Sequence, residues 1–356
     1  MNRFSDFTSG GLGPFLNLLK GCLPGGGSAV WVLAMALLLQ GCASPPVSLK
    51  PEQGAAISAP PLPLPPSPSP SPSPSPSPSP SPPPPQSVAV AVEPAGSKPP
   101  LKLGLALGGG AARGFAHIGV IQVLEEAGIR PDLVCGTSAG SLVAALYASG
   151  KNGQALQQIA LTMDEAVITD WTLPFVSRGV LKGEALGRYV EGLVSRRSIE
   201  NFKLPLGIVT TDLKTGEGVL FQRGNTALAV RASSAVPGVF EPVRIGGRDY
   251  VDGGLVAPVP VAYARQMGAN FVVAVDISSP PEEGESAGAL QIMLQTFAIM
   301  SKSLNRFELK QADVVVRPPL NGVASTNFAA RRRAIESGRQ AMLQALPALK
   351  AALSER

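Results

Sequence analysis

The chain has 356 residues, of which 15% are charged, and a formal net charge of +5. Of its 36 prolines, 22 lie between residues 45 and 100 and only 12 from residue 101 to the end. This division predicts a disordered segment joined to one globular domain that is long enough to build a full core. The mild charge, without a long basic stripe, excludes a nucleic-acid-binding footprint, and the single histidine excludes most histidine-based metal sites.

The first 41 residues have the organisation of a signal peptide. Arg3 and Lys20 precede an uncharged apolar run over residues 29–39, which is too short to span a bilayer as a helix but suits a signal-peptide core. The run ends in Leu39-Gln40-Gly41-Cys42, which resembles the bacterial lipobox. The resemblance implies cleavage before Cys42 and acylation of this cysteine, which would anchor the mature chain in the cell envelope. An ordinary secretory signal with an incidental cysteine is the alternative.

Residues 42–100 are predicted to be a lipid-anchored, disordered stalk. Serine and proline alternate over residues 67–82, and such a sequence cannot pair in a sheet and favours polyproline II. At about 3.1 Å per residue, the 26 residues from Pro60 to Pro85 reach roughly 80 Å. Because Ala43 rather than an aspartate follows Cys42, the resemblance to Gram-negative lipoproteins implies transport to the outer membrane.

The globular part begins with the pattern of a parallel α/β sheet. Residues 101–107 predict a buried strand, and residues 115–128 an apolar helix. A second strand over residues 131–135 leads through Gly136-Thr137-Ser138-Ala139-Gly140 into another apolar helix that ends at Gly150. Strand, helix, strand and helix at this spacing predict a parallel sheet with helices on its faces.

The remaining predicted elements are two hairpins, two core strands and a terminal helix. The hairpins consist of residues 206–211 with 218–222 and residues 243–245 with 248–251, the strands cover 270–277 and 313–316, and the helix covers about 330–353.

Gly136-x-Ser138-x-Gly140 is the nucleophile-elbow pattern in the setting that it requires, with a strand before it and a helix after it. The glycines permit a sharp turn that exposes the Ser138 hydroxyl at the helix N-terminus, where the helix dipole favours developing negative charge. Ser138 is therefore predicted to be a catalytic nucleophile. A serine that only caps the helix is the structural alternative.

A serine nucleophile needs a base, and the histidine count restricts what that base can be. An α/β-hydrolase places its histidine after the serine, but no histidine follows Ser138, so this triad is excluded. His117 lies upstream, inside the first predicted helix, and is interpreted as a structural residue. The base is therefore predicted to be a carboxylate.

Three aspartates that end predicted strands are candidates for this base. Asp252 is favoured because Gly253-Gly254 lets the chain turn away and leaves the side chain in the open site. Asp212 and Asp276 are the competitors, and each is equally explained as a loop cap. Since an aspartate with the reference pKa of about 3.9 is a weak base, burial is expected to raise the pKa of the catalytic one.

The glycine-rich loop after the first strand, residues 108–114, is predicted to form an oxyanion hole. Successive amides at a helix N-terminus, unobstructed by side chains, can direct two donors at one oxygen. No Gly-Lys-Ser/Thr follows the loop, which excludes a Walker A motif, and the spacing does not fit a dinucleotide-binding loop. No cofactor and no metal site are predicted.

Four blocks together resemble the patatin-like phospholipase family, in its bacterial and neuropathy-target-esterase-like branch. They are GGGAARGFAHIGV from Gly108, GTSAG from Gly136, residues 231–242, and Asp252-Gly253-Gly254. The resemblance implies an α/β, three-layer fold with a mainly parallel central sheet over residues 101–319. Residues 320–356 are then expected to be a C-terminal helical extension packed on or beside this domain.

The family uses a Ser-Asp dyad without histidine, so the resemblance implies Ser138 as the nucleophile and Asp252 as the proton acceptor. It places the oxyanion region at Gly109, Gly110, Ala111 and Arg113. Ala111 stands where the family has its third glycine, and its amide is expected to donate equally well if its φ is negative. Gly254 stands where the family usually has alanine.

The resemblance implies a lipid acyl hydrolase of the phospholipase A, lysophospholipase or esterase type. Ser138 would attack an ester carbonyl and form an acyl-enzyme, from which water releases the fatty acid. The alternatives are a carboxylesterase acting on small soluble esters and a catalytically silent envelope scaffold, against which the intact dyad residues argue. The expected partners are the lipid or ester substrate and, through Cys42, the membrane. Arg331-Arg332-Arg333 is interpreted as a solvated helix face, with contact to anionic lipid as the alternative.

Overall fold

The computed structural model of the chain describes residues 100–163, 179–278 and 288–355. The predicted signal peptide over residues 1–41, the acylation site Cys42 and all but the last residue of the predicted stalk lie outside these ranges. Within them, no helix has both the length and the apolar character needed to cross a bilayer.

The described residues form a mixed α/β fold. The strands are β1 (Leu103–Leu107), β2 (Leu133–Thr137), β3 (Gly179–Leu181), β4 (Leu206–Asp212), β5 (Gly218–Phe221), β6 (Gly238–Phe240), β7 (Val243–Ile245), β8 (Arg248–Asp252), β9 (Phe271–Val275) and β10 (Val314–Val316). The helices are α1 (Ala116–Glu126), α2 (Ala139–Ala148), α3 (Gly153–Thr162), α4 (Glu184–Leu193), α5 (Thr226–Ser233), α6 (Val261–Gln266), α7 (Ala289–Glu308) and α8 (Arg331–Ser354).

The central sheet is mainly parallel, which confirms the predicted fold class. Its strand order is β10-β9-β1-β2-β4-β8-β7, and β5 also pairs with β4. The strands from β10 to β4 run parallel, whereas β5 and β8 are antiparallel to β4, and β7 is antiparallel to β8. The strands β1, β2, β4 and β9 are buried along their whole length, as expected for parallel strands covered on both faces.

Alternate residues of these strands contribute to two separate cores, because successive side chains point to opposite faces of a sheet. In β1, Leu105 and Leu107 join the core formed with α1, α2 and α8, whereas Ala106 joins the core formed with α6. The sheet is therefore the middle of three layers, as predicted.

Helix α8 packs very closely on α1. A side chain at Gly119 of α1 would overlap the carbonyl of Ile335, and a side chain at Gly338 of α8 would overlap the carbonyl of Ala116. Met342, further along α8, is fully buried in the core that this face of the sheet shares. The helix that closes the chain is therefore part of the layer beside the sheet.

Strand β4 brings the ends of two other strands together. Its residues 208–211 pair with β5 along one edge, so β2 and β8 must share the other edge. Strand β2 pairs in parallel up to Thr137, opposite Val209, and β8 pairs in antiparallel fashion from Asp252, opposite Thr210. The C-terminal ends of β2 and β8 therefore meet beside consecutive residues of β4.

Candidate active site

Ser138 occupies a sharp turn between β2 and α2. Its backbone has φ 53° and ψ −125°, a conformation that a residue with a side chain rarely adopts and that costs about 1–3 kcal/mol. A Cβ atom at Gly136 would lie 2.5 Å from the carbonyl oxygen of Gly140, and one at Gly140 would overlap the carbonyl of Leu107. Both glycines of the predicted elbow are therefore required by close backbone contact.

Two other serines hold the backbone of Ser138 in place. The N–H of Ser138 donates to Oγ of Ser233 at 2.9 Å, and this hydroxyl donates in turn to the carbonyl of Val209 at 2.6 Å. The carbonyl of Ser138 accepts from both the N–H and the hydroxyl of Ser141, at 2.8 and 2.6 Å. No role is predicted for Ser233 from the sequence, although this residue lies in one of the four family blocks, at the end of an apolar helix.

Asp252 ends β8 and is buried, with 1% of its surface exposed. Its Oδ1 accepts from the N–H of Gly254 at 2.7 Å, and its Oδ2 has no hydrogen-bond partner among the described residues. Burial raises the pKa of Asp252 to about 6, and the hydroxyl of Ser138 and the N–H of Gly254 partly oppose this rise. The Ser138 hydroxyl therefore favours the ionised form of this carboxyl.

Gly253 and Gly254 fit the chain closely around Asp252. A side chain at Gly253 would overlap the carbonyl of Val209 in β4. A Cβ atom at Gly254 would lie 2.9 Å from the ring of Phe297 in α7 and 3.0 Å from Oδ1 of Asp252. The turn after β8 therefore leaves space for the carboxylate and for an aromatic ring.

Asp212 caps the turn between β4 and β5. Its Oδ1 accepts from the N–H groups of Lys214 and Thr215 at 2.9 and 3.1 Å, and its Oδ2 accepts from Arg248 at 3.1 Å. Both carboxylate oxygens are therefore engaged in holding this loop.

Asp276 is likewise engaged at the end of β9. Its Oδ1 accepts from the N–H and the hydroxyl of Ser278 at 3.1 and 2.7 Å, and its Oδ2 accepts from Nε of Arg317 at 3.3 Å. Of the three candidate bases, only Asp252 has a buried oxygen that no other described group occupies.

His117 is fully buried in α1, behind the glycine-rich loop. Its Nε2 donates to the carbonyl of Gly108 at 2.8 Å, and its Nδ1 has no partner within the described ranges. Burial lowers the pKa of His117 to about 4, so the ring is neutral at pH 7. The histidine holds the start of the loop, and its hydrogen bond is to the backbone rather than to Ser138.

Most amides of the glycine-rich loop donate to other backbone carbonyls. The four donors, with their acceptors, are Gly108 to Val275, Gly109 to Pro258, Ala112 to Ser325 and Arg113 to Gly110, at 2.9 to 3.1 Å. The amides of Gly110 and Ala111 have no partner in the part of the chain that the structure describes. Of the four residues predicted for the oxyanion region, these two present the available donors.

The φ of Ala111 is 49°. The expectation that its amide donates as well as a glycine amide required a negative φ, so this condition is not met. A side chain in this left-handed region costs roughly 1–2 kcal/mol, which explains why glycine suits this position in the family pattern. The amide of Ala111 remains without a partner among the described residues despite this strain.

The Arg113 side chain is 8% exposed and ties the loop to two distant segments. Its Nε donates to the carbonyl of Val323 at 2.8 Å, and its Nη1 donates to the carbonyl of Ser278 at 3.1 Å. In the structure the guanidinium thus fixes the loop that carries Gly110 and Ala111.

Ala139 supplies a further donor, beyond the residues predicted for the oxyanion region. It is the first residue of α2, and its amide has no partner among the residues described. In nucleophile elbows the amide after the serine contributes to the oxyanion hole, so the elbow motif itself was the available signal.

Comparisons with known proteins agree with these features. Residues 105–265 match the family model described as patatin-like phospholipase. An uncharacterized NTE family protein of Mycobacterium tuberculosis is 38% identical over 184 residues, which cover 51% of this chain and 51% of that protein. Patatin-like phospholipase domain-containing protein 6 of Mus musculus is 36% identical over 188 residues, which cover 51% of this chain and 14% of that protein.

The chain thus spans about half the length, or less, of these curated relatives. The crystal structure of VipD from Legionella pneumophila is 16% identical, with a TM-score of 0.47 over 70% of this chain and 67% of that one. The matched region contains the elbow, Asp252 and the glycine loop from Gly108 to Gly114. Over residues 105–265, the chain thus matches the patatin-like phospholipase family.

Proposed function

We propose that the domain is a serine acyl hydrolase that releases fatty acids from lipid esters through Ser138 and Asp252. The observation that carries this proposal is the meeting of β2 and β8 on β4. It sets a serine with a strained backbone beside a buried carboxylate whose Oδ2 has no partner among the described residues. A raised pKa improves Asp252 as a base, because an ideal catalytic pKa lies near the working pH.

The reaction would proceed in two halves. Asp252 accepts the proton of the Ser138 hydroxyl while Oγ attacks the ester carbonyl carbon, and the amides of Gly110, Ala111 and Ala139 stabilise the oxyanion. The tetrahedral intermediate expels the alcohol, which takes the proton from Asp252, and leaves an acyl-enzyme. Asp252 then accepts a proton from water, and the hydroxide attacks the acyl carbonyl. Collapse of the second intermediate returns the proton to Ser138 and releases the fatty acid.

A lipid ester is the substrate class that the similarity to this family supports best. The names of the matched family and of the mouse relative both describe a phospholipase. A carboxylesterase for small soluble esters would use the same dyad, so the two functions differ only in the substrate that is turned over.

The deciding experiment compares the full chain with its Ser138→Ala variant. We expect the unmodified protein to react with a fluorophosphonate probe at Ser138 and to release fatty acid from defined phospholipids, detected by mass spectrometry. The variant should fold and do neither. Probe labelling that persists in the variant contradicts the nucleophile assignment. Turnover of short soluble esters without phospholipid products would instead favour the carboxylesterase, and no turnover of either would favour a silent scaffold.

A further inference from the structure

Helix α7 exposes large apolar side chains to solvent. Ile292, Ile299, Met300 and Phe307 are 54%, 51%, 46% and 69% exposed. Because residues seven or eight positions apart lie on the same side of a helix, these four side chains form one stripe, which we call the apolar stripe. Grouped apolar exposure of this kind marks interaction sites, whereas single exposed apolar residues are ordinary.

The charges that α7 presents to solvent are basic. Lys302 and Arg306 are exposed on the helix, and exposed Lys310 follows directly after it. The one carboxylate of α7, Glu308, is turned toward the domain and accepts from the N–H of Ala262 at 3.1 Å. A partner with negative charge is therefore favoured beside the apolar stripe.

These cations also line a cavity at the domain surface. It has a volume of about 490 Å³, and its walls include Lys302, Arg306, Lys310 and Arg317. Arg317 is paired with Asp276, at 3.3 Å. Within the described ranges, no carboxylate forms an ion pair with Lys302, Arg306 or Lys310, so these three side chains can contact anionic groups at this surface.

The side of α7 that faces the domain packs beside the candidate dyad. The ring of Phe297 lies against Gly254, two residues after Asp252. A surface bound to the outer side of α7 is thus separated from the candidate active site by one helix.

We propose that α7 is the surface by which the domain docks on a membrane that contains anionic phospholipid. The apolar stripe enters the boundary between headgroups and acyl chains, and Lys302, Arg306 and Lys310 contact lipid phosphates. The inference rests on the proposed acyl hydrolase function, because a lipid ester must pass from the bilayer to Ser138. A second copy of this chain covering the stripe is the alternative that the test must separate.

A local fluorescence signal tests docking independently of hydrolysis. The full chain carries Ser138→Ala, Cys22→Ser and Cys42→Ser, so that it neither degrades vesicles nor has reactive cysteines, Cys135 being buried. An environment-sensitive dye is attached through Ile299→Cys or, as the control, through Gln158→Cys in α3. We expect vesicles of phosphatidylglycerol and phosphatidylcholine to shift the emission of the first dye to the blue and to leave the second unchanged.

The shift should weaken in vesicles of phosphatidylcholine alone and at high salt, because screening reduces the attraction of the basic side chains. If the emission of the dye at position 299 does not shift, the proposal is overturned, even if residues 1–99 hold the protein on the vesicle. A dye at position 299 that is already buried without vesicles, in a protein that light scattering shows to be dimeric, also overturns it in favour of a second copy.

Turnover separates this proposal from the proposed function. The double variant Ile299→Gln with Phe307→Gln should hydrolyse vesicle phospholipid about tenfold more slowly and a short soluble ester at the unchanged rate. The matched control is Leu343→Gln, which removes a side chain that is 49% exposed on α8 and should change neither rate. Equal phospholipid turnover by the double variant and the control contradicts docking through α7. Absence of any hydrolysis contradicts the proposed function alone, since the dye still reports docking.

Discussion

The backbone position of Ser138 depends on Ser233, a residue that takes no part in the proposed reaction. The hydroxyl of Ser233 accepts from the N–H of Ser138 and donates to Val209, so it links the elbow to β4. Because Val209 is also the residue that faces Thr137 in the sheet, one buried hydroxyl joins the nucleophile to the strand that fixes its position relative to Asp252.

Ser233→Ala removes this link. The N–H of Ser138 and the carbonyl of Val209 each lose a hydrogen bond, so we expect a loss of about 1–3 kcal/mol in the free energy of unfolding and a lower kcat on a soluble ester. Ser141→Ala is the matched control, because the carbonyl of Ser138 keeps the N–H of Ser141 as donor. Thermal denaturation and steady-state kinetics measure both effects. A Ser233→Ala protein with reduced stability and unchanged kcat would show that Ser233 does not position the nucleophile.

Asp252 gives predictions for both pH dependence and stability. Since the base must be ionised, kcat/KM should rise with pH through about 6 and then level off.

The folded state holds the proton of the Asp252 carboxyl more tightly than the unfolded chain does, so ionised Asp252 destabilises the fold above pH 6. Asp252→Asn should abolish activity. Because the variant has no carboxylate to ionise, its free energy of unfolding minus that of the parent protein should increase by on the order of 1–3 kcal/mol from pH 4 to pH 7.

Denaturant titrations of Asp252→Asn and the parent protein at both pH values measure this difference. Asp212→Asn is the comparison, because Asp212 pairs with Arg248 and caps a turn, so its loss should destabilise the protein near neutral pH. A stability difference for Asp252→Asn that does not change with pH would contradict the raised pKa.

At the scale of elements, the local sequence predicts much of the fold. The predicted strands 243–245 and 248–251 match β7 and β8 to within one residue, because Gly246-Gly247 marks the turn between them. The second strand was predicted two residues too early, since β2 continues through Gly136 and Thr137. Helices α3 to α7 were not predicted from the sequence. The sequence of α7 alone does not show whether its apolar side chains are exposed or buried.

The geometry of the site was less predictable than its residues. The motifs identify Ser138 and Asp252, but the edge of β4 that β2 and β8 share depends on pairing between segments distant in sequence. The positive φ of Ala111 and the backbone partners of Gly109 and Arg113 likewise arise from long-range contacts.

The contact between α1 and α8 gives a prediction at this scale. Gly338→Ala would place a methyl group on the carbonyl of Ala116, so we expect a loss of about 1–3 kcal/mol or more in the free energy of unfolding. Gly192→Ala in α4, where no described residue outside the helix's own backbone lies within 4 Å of the added carbon, should instead stabilise by about 0.5–1 kcal/mol. Thermal denaturation of both variants measures the contrast. Equal stability of the two would contradict the close helix contact.

At the scale of the whole molecule, we propose that the domain is anchored in the cell envelope through acylated Cys42. Cys42→Ser should give an unprocessed or mislocalised protein, because the cysteine thiol is the group to which the lipid is attached. Membrane fractionation and mass spectrometry of the expressed full chain measure the outcome. Recovery of the variant in the same membrane fraction with the same processed mass would contradict acylation at Cys42.

The two strands that share an edge of β4 are held in the sheet to different extents, and each positions one residue of the candidate dyad. The strand that ends just before Ser138, β2, is flanked by β1 and β4 in the middle of the sheet. The strand that ends in Asp252, β8, is held by three residue pairs on each side, next to the last strand β7. Local unfolding begins where the fewest contacts must break. Fraying of β7 and β8 would thus separate Asp252 from Ser138 while most of the core stays intact, so the proposed activity should be lost before the fold.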